Sequence, residues 1–176
     1  MPSCLKAHRR LELGVYDPDK TYFEQKKFDC EHAVINKFVI GSLKQQVKKN
    51  TSVAYVLTDS SINDRFIGFF TLVMSCIDNA ALAPFASSLP RQVPCVRLVM
   101  LGIDKGYKKQ NLGLRLLRHA LIKTKESAQT LGCRGLYLDA DPDAVAVYTK
   151  YGFIALQKPL SAGGSTPMFL FLESFF

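Results

Sequence analysis

The sequence lacks any apolar stretch long enough to cross a membrane. Its longest strongly apolar run, residues 66–77, has 12 residues, whereas a membrane-spanning helix needs about 20. The basic residues near the N-terminus are not followed by an apolar segment, so we expect neither a secretory signal nor membrane association. The five cysteines include no Cys-x-x-Cys pair. That argues against a disulfide framework or a zinc ribbon and favours a reducing, cytoplasmic location.

Acidic residues are also few. The chain has 15 Asp and Glu residues against 23 Lys and Arg, a formal net charge of +8 and a pI near 9.3. A basic domain attracts polyanions such as nucleic acid, anionic lipid or a phosphorylated cofactor, and the alternative is a basic surface that only keeps the protein in solution. His8, His32 and His119 have no metal-ligand or catalytic-triad spacing, so no metal site is expected.

Apolar residues are plentiful enough for a sizeable core. They make up 48% of the chain, with a mean hydropathy of +0.05, which predicts one domain spanning residues 1–176. Helical spacing over residues 28–50 predicts one or two amphipathic helices, with Asp29 as a candidate N-cap. Residues 114–131 predict a long amphipathic helix, and residues 142–151 a short one.

Between the predicted helices lie short apolar segments with strand composition. The first 20 residues are basic and then turn-like at Asp17-Pro-Asp19, and residues 78–95 form an irregular connection with one helical turn near residues 80–85. A Gly- and Ser-rich loop covers residues 161–166. Strands are predicted at residues 52–58, 65–77, 95–103, 135–140, 153–157 and 168–172. The alternation predicts an α/β fold in which a mixed central sheet carries helices on both faces.

A polar, basic loop comes directly before the long helix. Its sequence, from Lys108 to Gly113, is Lys-Lys-Gln-Asn-Leu-Gly. A helix N-terminus presents unpaired backbone N–H groups and partial positive charge, and Lys108, Lys109 and Arg115 add formal charge. The pattern is typical of a phosphate-binding loop, although an ordinary strand-to-helix connection has the same composition. It contains neither a P-loop nor a Gly-x-Gly-x-x-Gly motif.

Residues 107–117 resemble the acyl-CoA loop of the GNAT acetyltransferases, whose pattern is Gln/Arg-x-x-Gly-x-Gly/Ala at the start of a helix. Gln110 and Gly113 match that pattern, whereas Asn111 and Arg115 replace its usual small residues and limit the approach of the backbone to a pyrophosphate. The resemblance implies the GNAT acyltransferase fold and acetyl-CoA as cofactor. It also implies cofactor contacts from Leu101, Ile103, Lys108, Lys109, Gln110, Asn111, Leu112, Gly113, Leu114, Arg115 and Asp141. For Asp141, a simple helix cap is the alternative role.

The resemblance extends to the GNAT toxins of toxin–antitoxin modules, over residues 28–172. Phe28-Asp-Cys30 followed by Ile35-Asn-Lys-Phe38 is similar to their opening motif, and Ile67-Gly-Phe-Phe-Thr-Leu72 to one of their strands. Such toxins acetylate the α-amino group of a charged tRNA and stop translation. The resemblance further implies a homodimer and an antitoxin partner of the ribbon-helix-helix type.

Tyr148 matches the tyrosine that acts as general acid in this family. Transfer of an acetyl group to an amine releases a thiolate that needs a proton, and a tyrosine with a pKa near 10 is a suitable donor. An α-amino group has a pKa of about 7.7–8.0, which esterification of the carboxyl lowers further. A strong enzymic base is therefore dispensable. The alternative is that Tyr148 only packs beside Ala144 on a short helix.

Two further groups of residues are assigned to the substrate. An apolar pocket is expected for the aminoacyl group, favouring an aliphatic residue such as isoleucine, and its members could equally be plain core residues: Phe69, Phe70, Leu72, Met74 and Met100. A basic surface is expected to hold the tRNA backbone, formed by Arg9, Arg10, Lys26, Lys27, Lys44, Lys48 and Lys49.

Two other functions stay open at this point. One is a GNAT enzyme that acetylates a small-molecule amine, although the charge of +8 would repel a cationic acceptor. The other is a non-catalytic RNA-binding module, favoured by Asn111 and Arg115 in the loop and disfavoured by the intact Tyr148.

Overall fold

The computed structural model describes residues 9–157 and 164–174. Cys4, His8 and residues 161–163 of the predicted Gly- and Ser-rich loop lie outside this range. Seven strands form one sheet in the order β1-β2-β3-β4-β5-β7-β6. The ladders of β1 with β2, β5 with β7 and β6 with β7 are antiparallel, and that of β4 with β5 is parallel. The predicted mixed sheet is confirmed.

The described chain divides into two compact units. The first contains the chain up to Thr71 and Met100–Leu116, and the second contains Leu72–Val99 and the chain from Leu117. The prediction of one domain over residues 1–176 stays a prediction. No helix in the described part of the chain is long and apolar enough to span a bilayer.

The first unit holds the N-terminal strands and helices. They are β1 (Leu11–Val15), α1 (Ala33–Gly41), α2 (Leu43–Lys48), β2 (Val53–Asp59), the first half of β3 (Arg65–Asp78), the end of β4 (Gln92–Ile103) and the first turn of α4 (Leu112–Thr130). Its core is largely aromatic: Phe69 stacks on Phe38 of α1 at 6.1 Å between ring centroids and meets Phe28 edge-on at 5.8 Å.

Two helices lie on opposite faces of β3 within this unit. Phe69 contacts α1 through Phe38, whereas a Cβ on the neighbouring Gly68 would lie 2.6 Å from Ile103 Cδ1 and 3.6 Å from Leu116 of α4. Successive side chains of a strand point to opposite faces, so α1 and the start of α4 cover different sides of the sheet. A side chain at Gly68 would force the Ile103 side chain to shift and would lie 3.2 Å from the carbonyl oxygen of Gly102.

The second unit holds the remaining elements. They are the second half of β3, α3 (Asn79–Leu82), most of β4, the body of α4, β5 (Gly135–Ala140), α5 (Val145–Lys150), β6 (Ile154–Ala155) and β7 (Thr166–Phe171). A buried cluster of Leu82, Val93, Cys95 and Phe169 forms part of its core. Gly132, with φ of +81°, follows the end of α4 as predicted.

The N-terminal region contains one strand that was not predicted, and one predicted helix cap is wrong. Residues 11–15 form an edge strand, β1, paired with β2, and the turn expected around Asp17-Pro-Asp19 follows it. Asp29 does not cap α1: His32 is the N-cap, and its Nδ1 accepts a 3.4 Å bond from the N–H of Ile35. The Asp29 carboxylate instead accepts bonds from the Glu31 N–H and the Asn36 amide, and pairs with Lys105 at 2.8 Å.

Candidate functional site

The basic loop turns sharply into α4. Lys109 and Asn111 have φ of 61° and 56°, and the first bond of the helix runs from the N–H of Arg115 to the carbonyl of Asn111 at 3.1 Å. The backbone N–H groups of Leu112, Gly113 and Leu114 therefore precede the first helical donor and have no partner within α4. Such a terminus favours an anion.

The space beside Gly113 is open. A Cβ built at this residue would meet no atom within 4 Å, so neither packing nor a positive φ requires glycine here. What the missing side chain does provide is access for a ligand to the backbone of the first turn. The loop therefore fits the phosphate-binding role expected from its sequence.

The charged side chains of the loop differ in their surroundings. Lys108 forms an ion pair with Glu31, and Arg115 donates from Nη2 to the carbonyl of Leu11 at 3.3 Å. Lys109 and Gln110 are exposed. Lys109 and Gln110 are therefore the side chains best placed to contact an anion without giving up another bond.

A buried network anchors the start of this loop, and the sequence analysis missed it. Tyr107 is buried, and its hydroxyl donates to the carboxylate of Asp59 at 2.9 Å, where Asp59 has no exposed surface. Burial opposes ionisation of Asp59, but hydrogen bonds from Ser61 and Tyr107 lower its pKa below the ordinary value. Burial and the bond to Asp59 raise the pKa of Tyr107.

A second buried carboxylate fixes the turn next to Tyr107. Asp104 accepts bonds from the N–H of Gly106 at 3.0 Å and from the N–H of Asp29 at 3.2 Å. The guanidinium groups of Arg9 and Arg65 lie 4.8 and 5.6 Å from the centre of the Tyr107 ring. The sequence signal for this network was an Asp at the C-terminal end of each of two apolar segments, Asp59 and Asp104, which also fits an ordinary turn.

The expected cofactor contacts on β4 belong to the first unit. Leu101 is half-buried and Ile103 is buried. Further back along β4, the parallel ladder with β5 pairs Val96 with Leu136 and Arg97 with Tyr137, in the second unit. Leu101 and Ile103 therefore lie past Arg97, the last β4 residue that pairs with β5 in this ladder.

Tyr148 lies on α5 in the second unit and is half-buried. Its ring packs edge-on against the buried Phe153 at 5.4 Å, and its carbonyl accepts bonds from the N–H groups of Tyr151 and Phe153. Burial, and then the negative charge of Asp141, raise the pKa of Tyr148. The hydroxyl is therefore protonated at neutral pH and can act as a proton donor.

Asp141 occupies the N-cap position of the turn Pro142–Ala144, but its side chain makes no capping bond to that turn. Its backbone carbonyl accepts a 2.9 Å bond from the N–H of Ala144. The Asp141 carboxylate therefore does not cap this turn, so the alternative role suggested by the sequence is wrong.

The expected pocket residues do not share one surface. Phe69 and Phe70 are completely buried, and as strand neighbours they point to opposite faces. Phe70 stacks on Tyr55 at 4.9 Å, whereas Met100 packs against the aromatic core around Phe69. Leu72 is buried, and Met74 is 51% exposed.

All seven residues expected to contact tRNA are exposed and lie in the first unit. Three of them line one cleft, namely Lys26, Lys27 and Lys44. Lys48 forms an ion pair of 2.8 Å with Asp19, and Lys49 follows the last residue of α2.

Comparison with known proteins places this geometry in a family. Residues 44–169 match the acetyltransferase (GNAT) domain. A tRNA-acetylating toxin of Mycobacterium tuberculosis is 30% identical over 91 residues, and the match spans 51% of this chain and 55% of that protein. The chain therefore aligns with only about half the length of this curated relative.

Solved structures match over nearly the whole chain. A bacterial toxin is 34% identical, with a TM-score of 0.90 and coverage of 95% of this chain and 93% of that one. The toxin AtaT in complex with acetyl-methionyl-tRNAfMet is 25% identical, with a TM-score of 0.81 and coverage of 94% and 96%. A mutant AtaT has also been solved with the C-terminus of the antitoxin AtaR and acetyl-CoA.

These matches confirm the predicted fold, the predicted relationship to toxin–antitoxin acetyltransferases, and the enzyme class with acetyl-CoA as its cofactor at the level of the family. The open helix terminus that follows the basic loop and the protonated Tyr148 on α5 fit this family. Because the acetyltransferase (GNAT) domain matches residues 44–169, the chain belongs to the GNAT acetyltransferases.

Proposed function

We propose that this protein is a toxin that acetylates the α-amino group of an aminoacyl-tRNA and thereby blocks translation. The observation that carries the proposal is the similarity, over 94% of the chain, to a toxin solved with an acetylated aminoacyl-tRNA. The basic surface of the first unit supports it, because RNA binding depends on neutralising phosphates with Lys and Arg. A blocked α-amino group cannot accept a peptide, which accounts for the arrest of translation.

The cofactor site proposed on this chain centres on the first turn of α4. The N–H groups of Leu112, Gly113 and Leu114 meet the pyrophosphate, and Lys109 and Gln110 add side-chain contacts. The backbone of Leu101 and Ile103 orients the pantetheine arm. When bound, acetyl-CoA supplies an acetyl group activated as a thioester. Tyr107 and Asp59 do not touch it, but hold the start of the loop in place.

Tyr148 is the proposed general acid. Its raised pKa keeps a proton on the hydroxyl oxygen throughout the neutral range, and that proton is available to the leaving sulfur. The attacking amine needs no strong base, because the α-amino group of an aminoacyl ester is largely neutral near pH 7. Asp141 favours the protonated state of Tyr148 through its negative charge.

The aminoacyl group is proposed to be apolar, with isoleucine as the favoured example. Among the expected pocket residues, Met100 is only partly buried beside the aromatic core around Phe69, whereas Phe69 and Phe70 are completely buried. Methionine side chains adapt to apolar groups of different shape. Met100 is therefore the proposed contact with the aminoacyl group, and the aromatic core around Phe69 supports it.

Acetylation of tRNA pools that are each charged with a single amino acid tests this preference. We expect isoleucyl-, valyl- and methionyl-tRNA to be better substrates than glycyl-, lysyl- and aspartyl-tRNA. Discrimination among aliphatic residues should be modest, because one methylene contributes only about 1–3 kcal/mol. A preference for glycyl-, lysyl- or aspartyl-tRNA would exclude the apolar pocket and leave the acetyltransferase function standing.

The remaining proposals concern partners and location. A cognate antitoxin of the ribbon-helix-helix type, a homodimer and a cytoplasmic location follow from the resemblance to toxin–antitoxin modules. The solved complex of a relative with its antitoxin supports the antitoxin, and the supply of charged tRNA requires the cytoplasm.

A further inference from the structure

A cleft of about 520 Å³ opens between the segment before α1 and the α1–α2 helices, entirely within the first unit. That volume is in the range of pockets that hold small organic ligands. The cleft is distinct from the loop at the start of α4 and shares no residue with it. Its lining combines aromatic, aliphatic and basic side chains, among them Tyr16, Tyr22, Phe23, Ile40, Lys26 and Lys44.

The floor of the cleft is held in place by the protein itself. Tyr16 and Tyr22 are buried and stack with ring centroids 5.1 Å apart. The Tyr22 hydroxyl accepts a bond from the N–H of Asp17 at 2.9 Å. The side-chain amide of Gln25 donates to the hydroxyl of Tyr16 at 3.2 Å and to the carbonyl of Val39 at 3.5 Å. The cleft is therefore preformed.

The rim carries an excess of positive charge. Lys20, Lys26, Lys27 and Lys44 face a single carboxylate, Glu24. Lys27 and Arg65 already pair with Glu24 at 3.0 and 2.9 Å, and Lys20 pairs with Asp64. Lys26 and Lys44 make no ion pair within the described segments, and Asp19, whose charge interacts with Lys44, is paired with Lys48. The two unpaired lysines would attract an anionic group.

The cleft also exposes apolar surface beside these lysines. Phe23 is 40% exposed and Ile40 is 58% exposed. The backbone of Phe23 is fixed, since its carbonyl accepts a 2.9 Å bond from the N–H of Phe66. An exposed aromatic ring on a rigid backbone suits a flat ligand, and an inorganic anion alone would make no use of it.

We propose that this cleft binds one unpaired nucleotide of an RNA strand. The phosphate lies at Lys26 and Lys44, and the base packs against Phe23 and Ile40. A basic groove with an exposed aromatic ring is the combination that single-stranded nucleic acids use, because every base has a flat face for stacking. The inference rests on the proposed function, since the RNA is taken to be the tRNA substrate.

The lysines are tested by binding of a single-stranded RNA of about eight adenosines, a length typical of such sites. The double variant Lys26→Ala, Lys44→Ala should reduce the slope of log K against log salt by about 0.7, because the two lysines hold one phosphate and each neutralised phosphate contributes about 0.7 for a single strand. The matched control is Lys37→Ala, Arg91→Ala, which removes two exposed charges outside the cleft and should leave the slope unchanged.

The aromatic contact is tested separately. Phe23→Ala should weaken binding of the same RNA by roughly 5- to 150-fold, the range found for loss of one base stack. Phe23→Trp should retain or strengthen binding, because it keeps a flat ring. If Phe23→Ala perturbs folding, the Phe23→Trp result and the lysine pair still decide the matter. Equal RNA affinity for wild type, Phe23→Ala and the lysine pair would overturn the proposal.

A polyglutamate peptide serves as the competing probe. Binding of that peptide with the same dependence on Phe23, Lys26 and Lys44, and no such dependence for RNA, would overturn the nucleotide assignment. Acetylation assays separate this inference from the proposed function. If the protein acetylates charged tRNA but the cleft variants bind RNA as tightly as wild type does, the cleft proposal is wrong and the proposed function stands. If RNA binding depends on the cleft residues but no aminoacyl-tRNA is acetylated, the proposed function is wrong and the cleft proposal stands.

Discussion

The hydroxyl of Tyr148 is the chemical group on which the proposed reaction depends most. Replacing Tyr148 with Phe removes the proton donor and keeps the ring contact with Phe153. We expect acetyl transfer to fall roughly 10²–10⁴-fold, as for loss of a general acid, with little change in acetyl-CoA affinity. Steady-state kinetics and calorimetry measure the two effects, with Tyr151→Phe as the control. Near-normal turnover by Tyr148→Phe would remove this residue from the mechanism.

The raised pKa of Tyr148 also fixes the alkaline side of the pH profile. The donor acts in its neutral form, so activity should persist through the neutral range and fall as the pH rises through a value above the ordinary 10.0. The same group contributes stability that is fully present below pH 10.0 and lost as the pH rises through the folded-state pKa. A decline in kcat centred well below pH 10.0 would indicate a different donor.

Tyr107 is expected to affect cofactor binding indirectly, by holding the start of the loop in place. Tyr107→Phe deprives the buried Asp59 of a donor, and a buried group left short of a bond costs about 1–3 kcal/mol. We expect lower stability and a higher KM for acetyl-CoA, with kcat at saturation largely retained. The matched control is Tyr137→Phe, which removes a 2.8 Å bond from a tyrosine hydroxyl to the exposed carboxylate of Asp139 in β5. Equal effects of both variants on KM would contradict the positioning role.

At the scale of elements, a substitution in the first turn of α4 should change acetyl-CoA binding without lowering the stability of the fold. Gly113→Ala adds a methyl group into open space, so the free energy of unfolding should stay unchanged or rise by up to about 1 kcal/mol. Acetyl-CoA affinity should fall by about tenfold or more if the pyrophosphate lies against this turn. Gly41→Ala is the control for helix stabilisation, because Gly41 lies in α1 and a Cβ there would also meet no atom within 4 Å. Unchanged acetyl-CoA affinity in Gly113→Ala would place the pyrophosphate elsewhere.

The elements that the sequence predicted well have a long, regular pattern. The helix predicted at residues 114–131 is α4, Leu112–Thr130, and the strand predicted at residues 65–77 is β3, Arg65–Asp78. The edge strand β1 was missed because it has only five residues, all of them at least partly exposed. Its pairing with β2 is a tertiary contact that composition does not encode.

At the scale of the whole molecule, contiguous features of the candidate site were predictable and distant ones were not. The loop of Lys109, Gln110 and Gly113 is a continuous motif that leads directly into a helix. The bond of Tyr107 to Asp59 joins residues 48 positions apart, and the cleft joins the segment around Phe23 to Lys44 of α2. Only the fold brings such residues together.

The central claim is that the acetyl group arrives on the α-amino nitrogen of an aminoacyl-tRNA. The most direct measurement is mass spectrometry of the aminoacyl-adenosine released by ribonuclease after incubation of the protein with acetyl-CoA and total charged tRNA. We predict a mass gain of one acetyl group on the aminoacyl moiety, strongly reduced with Tyr148→Phe and absent when the tRNA is deacylated beforehand. Unmodified aminoacyl-adenosine with active protein, or acetylation that persists on deacylated tRNA, would contradict the account.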